Sequence, residues 1–459
     1  MTNGPAALSA RELARLIREK EVSVWEVVQA HLRQIEAVNP RLNAVVALSA
    51  ESALAEARKA DETLARGELF GPLHGVPMTI KDNLDTAGLI STGGTKGRAA
   101  FVPREDAVVV ARLRAAGAIL LGKTNTPELT MAYETDNLVH GRTNNPYDPT
   151  LTAGGSSGGA AAIIATGGSA FDIGSDTGGS IRVPSHFCGT VGLMPTAGRI
   201  PKKGHILPSG GFVDDMTSLG PMARKVEDLE LLFDVIAATD TGEAISRSRS
   251  ESVSMKDLRA AFFVDNGIIA PAPEIEATVR AVAQACAEIG LKVDETCPAV
   301  VRDSLDLTLD LWTADGGKCF GDVLTAYGTS ELHPFMQVVM EFCRLRPKAS
   351  TDQLRIRWEN YRAAMHEFMQ QFDILISPVC PFSALPHGST FAEERFPGFS
   401  YTMTHNLTGW PVVVIRGGTT REGLPVGVQV AARPWQEDHA LAVARNLEAC
   451  FGEWPGPPS

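Results

Sequence analysis

The chain has 459 residues, 44% hydrophobic and 21% charged, and its 42 Lys and Arg against 54 Asp and Glu leave a formal charge of −12. This is the composition of a soluble, enzyme-sized globular chain able to bury a substantial core, and its acidic balance argues against nucleic acid as a direct partner, which calls for clustered Lys and Arg. The seven cysteines are scattered without a C-x-x-C pair, so neither a metal site nor a disulfide scaffold is expected; with no leader pattern and no apolar run of membrane-spanning length, a cytoplasmic protein without a membrane span follows.

In chain order, Ser9-x-x-Glu12 and Ser23-x-x-Glu26 read as capping boxes that open two helices, the second stopping at Asn39-Pro40. Leu42–Leu48 reads as a strand and Ala50–Gly67 as a helix, after which the turn Gly71–Pro77 delivers a strand, Met78–Lys81, that leaves Lys81 near its end. Val108–Gly117 reads as a helix and Ala118–Gly122 as a buried strand. The alternation predicts an α/β fold, a sheet covered by helices on both faces. Further on, Val226–Thr239 reads as a helix, Thr241–Ser254 as a polar exposed loop, Ala260–Asp265 as a strand, Glu274–Ile289 as an amphipathic helix closed by Gly290, and Leu291–Asp294 as a strand. A last long helix is predicted over Ser350–Phe372, with Leu354, Trp358, Tyr361, Met365, Phe368 and Phe372 on one stripe and Arg355, Arg357 and Arg362 on a solvated face.

The middle of the chain departs from this pattern. Of the 43 glycines, 12 fall between Gly154 and Gly198, a window whose charged residues are only Asp172, Asp176 and Arg182. Its interleaved apolar residues make a flexible linker improbable and a buried, tightly turned backbone the better reading. Gly154–Gly159 and Asp176–Arg182 each surround serine with glycine, which leaves a hydroxyl reachable and backbone amides free to approach a ligand. Gly154-x-Ser156-x-Gly158 satisfies the nucleophile-elbow spacing of an α/β-hydrolase esterase, yet the segment before it, Asn144–Thr152, is turn chemistry with two prolines rather than the buried strand an elbow needs. A phosphate-binding loop has no Gly-Lys-Ser/Thr ending to support it.

Taken together, the ordered segments Gly75–Asn83, Thr135–Pro146, the two serine loops, Phe187–Thr196, Asn406–Pro411 and Gly423–Gln429 resemble the amidase signature family over nearly the whole chain. Ala153, Met194 and Val412 depart from residues frequent in that family, and none of the three removes a catalytic group. The resemblance implies an amidase signature fold with a central mixed β-sheet, a single domain over 1–459 with its signature core at about 70–200, a variable pocket region at about 300–345 and a tail at 451–459. It also implies hydrolysis of C–N bonds without metal or organic cofactor. By resemblance the triad is Lys81, Ser156 and Ser180: Ser180 is the nucleophile, Ser156, held by a cis peptide after Gly155, relays the proton, and the amides of Thr177, Gly178, Gly179 and Ser180 form the oxyanion hole.

The scheme is physically coherent, because a serine hydroxyl is a weak nucleophile until a neighbour takes its proton and a lysine takes it only when neutral. The scarcity of charge around the serines predicts that a buried Lys81 has a lowered pKa. Ser157, Asp176 and Arg182 are expected to support the loops by hydrogen bonds, His74, His186 and His405 to be structural, and Cys188 to be a small buried hydrophobe.

For the substrate, Tyr133, Trp312, Phe320, Phe335 and Met336 are expected to line the pocket, which favours apolar or aryl acylamides and also carbamates, where the same attackable carbonyl carries an amine leaving group. The expected partner is thus a small amide or carbamate molecule, with the protein a monomer or homodimer. A second reading is the glutamine-hydrolysing component of a tRNA-dependent amidotransferase, although no counterpart of that component's Tyr-rich C-terminal segment is recognisable. A noncatalytic binding protein is disfavoured because every triad position is filled.

Overall fold

The structure, a computed structural model, describes residues 4–237, 253–452 and 456–458. The first half contains α1 (Ala10–Arg18), α2 (Val24–Leu42), β1 (Val45–Leu48), α3 (Ala50–Ala65), β2 (Pro77–Lys81), α4 (Val108–Ala115), β3 (Ile119–Thr124), α5 (Gly158–Ala165), β4 (Phe171–Asp176), α6 (Arg182–Cys188), β5 (Val191–Met194), α7 (Gly211–Asp215), β6 (Ser218–Ala223) and α8 (Val226–Ile236). The second contains β7 (Arg259–Phe262), α9 (Pro273–Glu288), β8 (Lys292–Glu295), α10 (Ser304–Trp312), α11 (Lys318–Ala326), α12 (Pro334–Leu345), α13 (Thr351–Phe368), β9 (Ile374–Pro378), α14 (Ser400–Thr408), β10 (Val412–Thr419), β11 (Pro425–Ala432) and α15 (Glu437–Phe451). The predicted end of α8 at Thr239 and most of the predicted loop Thr241–Ser254 lie outside the described residues.

All eleven strands join one mixed sheet in the order β1-β3-β2-β4-β6-β5-β10-β11-β9-β7-β8. β2 lies parallel between β3 and β4, the strands from β4 to β9 run alternately, and β7 is again parallel to both its neighbours. Every residue of β2, β3, β4, β5, β6, β9 and β11 is buried, as expected of strands covered on both faces rather than one. α5 and α6 pack together over β4, β5, β10 and β11, while α8, α9 and α15 form a second group against β5, β6, β10 and β11. The predicted α/β class with helices on both faces is what the chain forms. No helix among the described residues is long and apolar enough to cross a membrane.

The parallel register of β2 and β4, with Met78 opposite Phe171, brings the carboxyl ends of both strands out side by side. Lys81 closes β2, and Ser180 follows four residues after β4. Open α/β sheets gather their ligands at such carboxyl ends.

Three local expectations are corrected. α2 runs through Pro40 and ends at Asn43 in the left-handed region (φ 52°), because the Asn39 side chain accepts from the amides of Ala44 and Val45 at 2.8 Å each and so anchors the turn beyond the proline. Of the two predicted capping boxes only that of Ser23 is complete; the Ser9 hydroxyl accepts from the Glu12 amide but donates to Glu227. Phe372 is buried beyond the end of α13 rather than on its stripe, touching Phe368 with ring centroids 5.1 Å apart.

Candidate active site

Lys81 is fully buried, and its Nζ lies 2.6 Å from Ser156 Oγ and 3.1 Å from Ser175 Oγ, which also accepts from Asn83 Nδ2 at 2.9 Å. Burial pushes the Lys81 ammonium down to about 7, with the Asp176 and Asp172 carboxylates pulling the other way. The cause thus differs from the one the sequence suggests: charge is not absent around Lys81, and desolvation outweighs two nearby carboxylates. Ser175, whose oxygen serves both Lys81 and Asn83, is not marked by any sequence motif beyond its position directly before Asp176.

The Gly155–Ser156 peptide is cis. A side chain at Gly155 would meet Ala132 O and Glu134 N at 2.6 Å, so only glycine fits where this loop presses on the backbone of the 132–134 segment. The Ser157 amide donates to Ser180 O at 3.1 Å and joins the two serine loops. Its hydroxyl is buried without a hydrogen-bond partner among the described residues, so Ser157 braces the loops through its backbone and not its side chain. No strand leads directly into Gly154 among the described residues, where the 144–152 segment makes only the isolated bridges Asn144–Thr152 and Leu151–Pro386, which removes the setting of a nucleophile elbow.

Asp176 organises the Thr177–Arg182 turn. Its carboxylate accepts from the amides of Gly179 (2.8 Å) and Ile181 (3.0 Å), from Asn406 Nδ2 (2.9 Å) and twice from the Arg182 guanidinium, Nε at 3.0 Å and NH2 at 2.9 Å, with both side chains fully buried. Burial pushes this carboxyl up, but the Arg182 charge and these hydrogen bonds outweigh it and hold the group at about 2. Arg182 reaches on to Thr402 O (2.9 Å) and Gln429 Oε1 (2.7 Å), tying the turn to α14 and β11.

One consequence corrects the expected oxyanion hole. The peptide linking Gly178 and Gly179 is held at both ends, its carbonyl by Tyr133 OH (2.9 Å) and Thr402 Oγ1 (2.6 Å), its N–H by Asp176. The Gly179 amide therefore points away from a ligand. Gly179 itself sits at φ +128°, with the Thr402 side chain where a Cβ would go. The amides of the other three predicted donors, Thr177, Gly178 and Ser180, have no acceptor among the described residues.

A cavity of about 340 Å³ opens beside Ser180 and Thr177–Gly178. Three predicted residues line it: Tyr133, Trp312 and Phe320. Trp312 packs against three separate apolar clusters and so joins the cavity walls. Phe335 and Met336 do not line it. Met336 is buried in one cluster with Phe320 and Leu324, and the Phe335 ring meets His333 edge-on at 4.8 Å and Phe391 at a tilt at 5.3 Å. α12 meets the cavity one to two turns further along the same stripe, through Val338, Val339, Phe342 and Cys343, and Phe391, Phe396 and Pro397 also line it. Helical spacing within 334–345 could have indicated the first group; nothing in the local pattern marks the second. A larger cavity, about 520 Å³ and lined by Ser49, Glu56, Lys59 and Arg114 among others, contains none of the catalytic candidates.

The histidines behave as structural groups. His186 is buried and pushed down to about 4, bridging the Gly427 amide (2.6 Å) and Phe382 O (2.9 Å); His74 bridges the Phe70 amide and Ala60 O. His405 is buried with neither ring nitrogen hydrogen-bonded among the described residues. Cys188 is fully buried, as expected of a small hydrophobe.

Comparison with known proteins supplies the family. The family model described as Amidase matches residues 26–441. The chain is 33% identical to an acylamidase of Rhodococcus erythropolis over 96% of this chain and 95% of that one, and 33% identical to one component of the glutamyl-tRNA(Gln) amidotransferase of Moorella thermoacetica over 96% of each. A solved structure of 6-aminohexanoate cyclic dimer hydrolase with substrate superposes with a TM-score of 0.85 at 28% identity, covering 97% of both chains. The chain belongs to the amidase signature family of amide-hydrolysing enzymes.

Proposed function

We propose that this protein hydrolyses apolar acyl or aryl amides, and carbamates of similar shape, through an acyl-enzyme on Ser180. Neutral Lys81 accepts the Ser156 proton, Ser156 accepts that of Ser180, and Ser180 Oγ attacks the carbonyl carbon. The developing oxyanion is met by the amides of Thr177, Gly178 and Ser180, an arrangement in which each donor is typically worth about 10²–10³ in rate. The proton returns through the same relay to the leaving nitrogen, the amine departs, and water activated along that path releases the acid. The observation that carries this reading is the direct 2.6 Å contact of a buried lysine with Ser156, in a loop hydrogen-bonded to the Ser180 backbone beside an apolar cavity.

The cavity wall favours an uncharged substrate over glutamine. Among the described residues no Lys or Arg lines it and Glu393 is its one formal charge; an amino-acid carboxylate entering there would be desolvated without a cationic partner from that wall. The whole chain acts as one domain, as a monomer or homodimer, and its seven free cysteines fit a reducing cytoplasm. A panel of anilides, aliphatic amides, carbamates, esters and glutamine, assayed with wild type and Ser180→Ala, tests the proposal. Turnover of glutamine alone, or Ser180-independent turnover, would overturn it.

A further inference from the structure

We propose that Asp172 is a positioning residue for this chemistry: its carboxylate clamps the end of β2 that carries Lys81 and supplies the negative charge against which Lys81 changes protonation state. The inference rests on the reading of Lys81 as the base. Asp172 is fully buried on β4, where the relay itself has no use for a carboxylate. One oxygen accepts from Thr79 Oγ1 at 2.6 Å and Thr124 Oγ1 at 2.9 Å, one donor from each of the strands β2 and β3, and Thr79 lies two residues before Lys81 on β2. The other oxygen has no hydrogen-bond partner among the described residues. A buried carboxylate left half-satisfied is costly, and nearby cations compensate it: Lys81 on β2 and Lys123 on β3, both fully buried.

The charged surroundings are mixed. Asp176 acts on Lys81 from the far end of β4, His205 lies near Lys81, and Lys123 is shared with Asp82 and Asp85 and opposed by Arg98; β6 and α5 bring no titratable group to β4. Burial pushes Asp172 up to about 6, with the two threonine hydroxyls and Lys123 lowering it, so it is ionised at neutral pH. A carboxylate stabilises the ammonium form of a neighbouring lysine; removing its charge lowers the lysine's pKa and makes the neutral base available at lower pH.

The test is the pH dependence of kcat/KM on an anilide for wild type, Asp172→Asn and Lys81→Ala. Asp172→Asn keeps an acceptor for both threonines and loses the charge, so the acidic limb moves to lower pH by about one unit, a shift that a purely structural role would not produce. Thr79→Val, which removes one donor and favours protonation of Asp172, moves it the same way by less, and it carries the test if Asp172→Asn does not fold. An acidic limb that stays in place or rises in both folded variants overturns the inference while leaving the base assignment intact. A flat wild-type profile, or an active Lys81→Ala, overturns the base assignment and this inference with it.

Discussion

The serine loops and the cavity wall meet at Gly178, yet they are built by opposite strategies. In the loops, two short segments supply nearly everything: backbone amides, glycines pressed against neighbouring main chain, and a carboxylate and guanidinium six residues apart that bond each other and the turn between them. In the wall, no segment supplies more than a few groups; α10, α11, α12 and the 391–397 loop each contribute apolar surface from a different depth in the chain. Chemistry that depends on backbone geometry is written locally. A pocket that depends on shape is assembled from a distance.

The largest effect that could break this contrast is on rate. Ser180→Ala and Lys81→Ala are each expected to lower kcat on an anilide by about 10⁴-fold or more, and near-normal turnover by pure Ser180→Ala would place the nucleophile elsewhere. In wild type, kcat/KM should rise with pH through about 7, since burial brings Lys81 there and only its neutral form accepts a proton; a flat profile between about pH 5 and 9 argues against a lysine base.

Next comes stability. Arg182→Leu leaves Asp176 buried without its cation and is expected to cost about 3–5 kcal/mol in denaturant unfolding; a loss below about 1 kcal/mol would mean that Asn406 and the turn amides suffice. The wall should respond more gently and selectively. Trp312→Ala is expected to reduce kcat/KM for aryl amides by about 10- to 100-fold, as a large aromatic contact is lost, while small aliphatic amides are less affected. The smallest effect belongs to Phe335→Ala: behind Phe391 rather than in the cavity, it should change kcat/KM by no more than about threefold. A loss equal to that of Trp312→Ala would return Phe335 to the pocket.

How far the sequence can be read follows the same division. Element types are legible wherever hydrophobic periodicity is strong, as in α3, α9 and β3, whereas the boundary of α2 is not, because the side chain of Asn39, one turn before the cap, overrides the usual proline stop. The two serine loops with Ser156, Asp176, Ser180 and Arg182 are legible because glycine and serine cluster where a turn must expose amides and hydroxyls, whereas Lys81 and the roles within the triad come only from the resemblance to the family. Ser175 and Asp172 are not, since a serine or aspartate inside a strand carries no signal until the partners from neighbouring strands are known. Phe335 and Met336 lie on the cavity-facing stripe of α12 but in its first turn, short of the cavity, because composition identifies an apolar helix but not which of its turns reaches the site.

The sequence by itself determined the fold class, through alternation of strand and helix, and the serine loops, through glycine packed around serine, and its ordered motifs carried the resemblance to a family that named the catalytic candidates. Tertiary structure alone decided that the Gly179 amide is consumed by Asp176, that burial rather than missing charge lowers Lys81, and which aromatic rings face the cavity. The physical reason is that desolvation, peptide orientation and cavity shape are properties of what surrounds a group, and those surroundings come from strands and helices far apart in the chain.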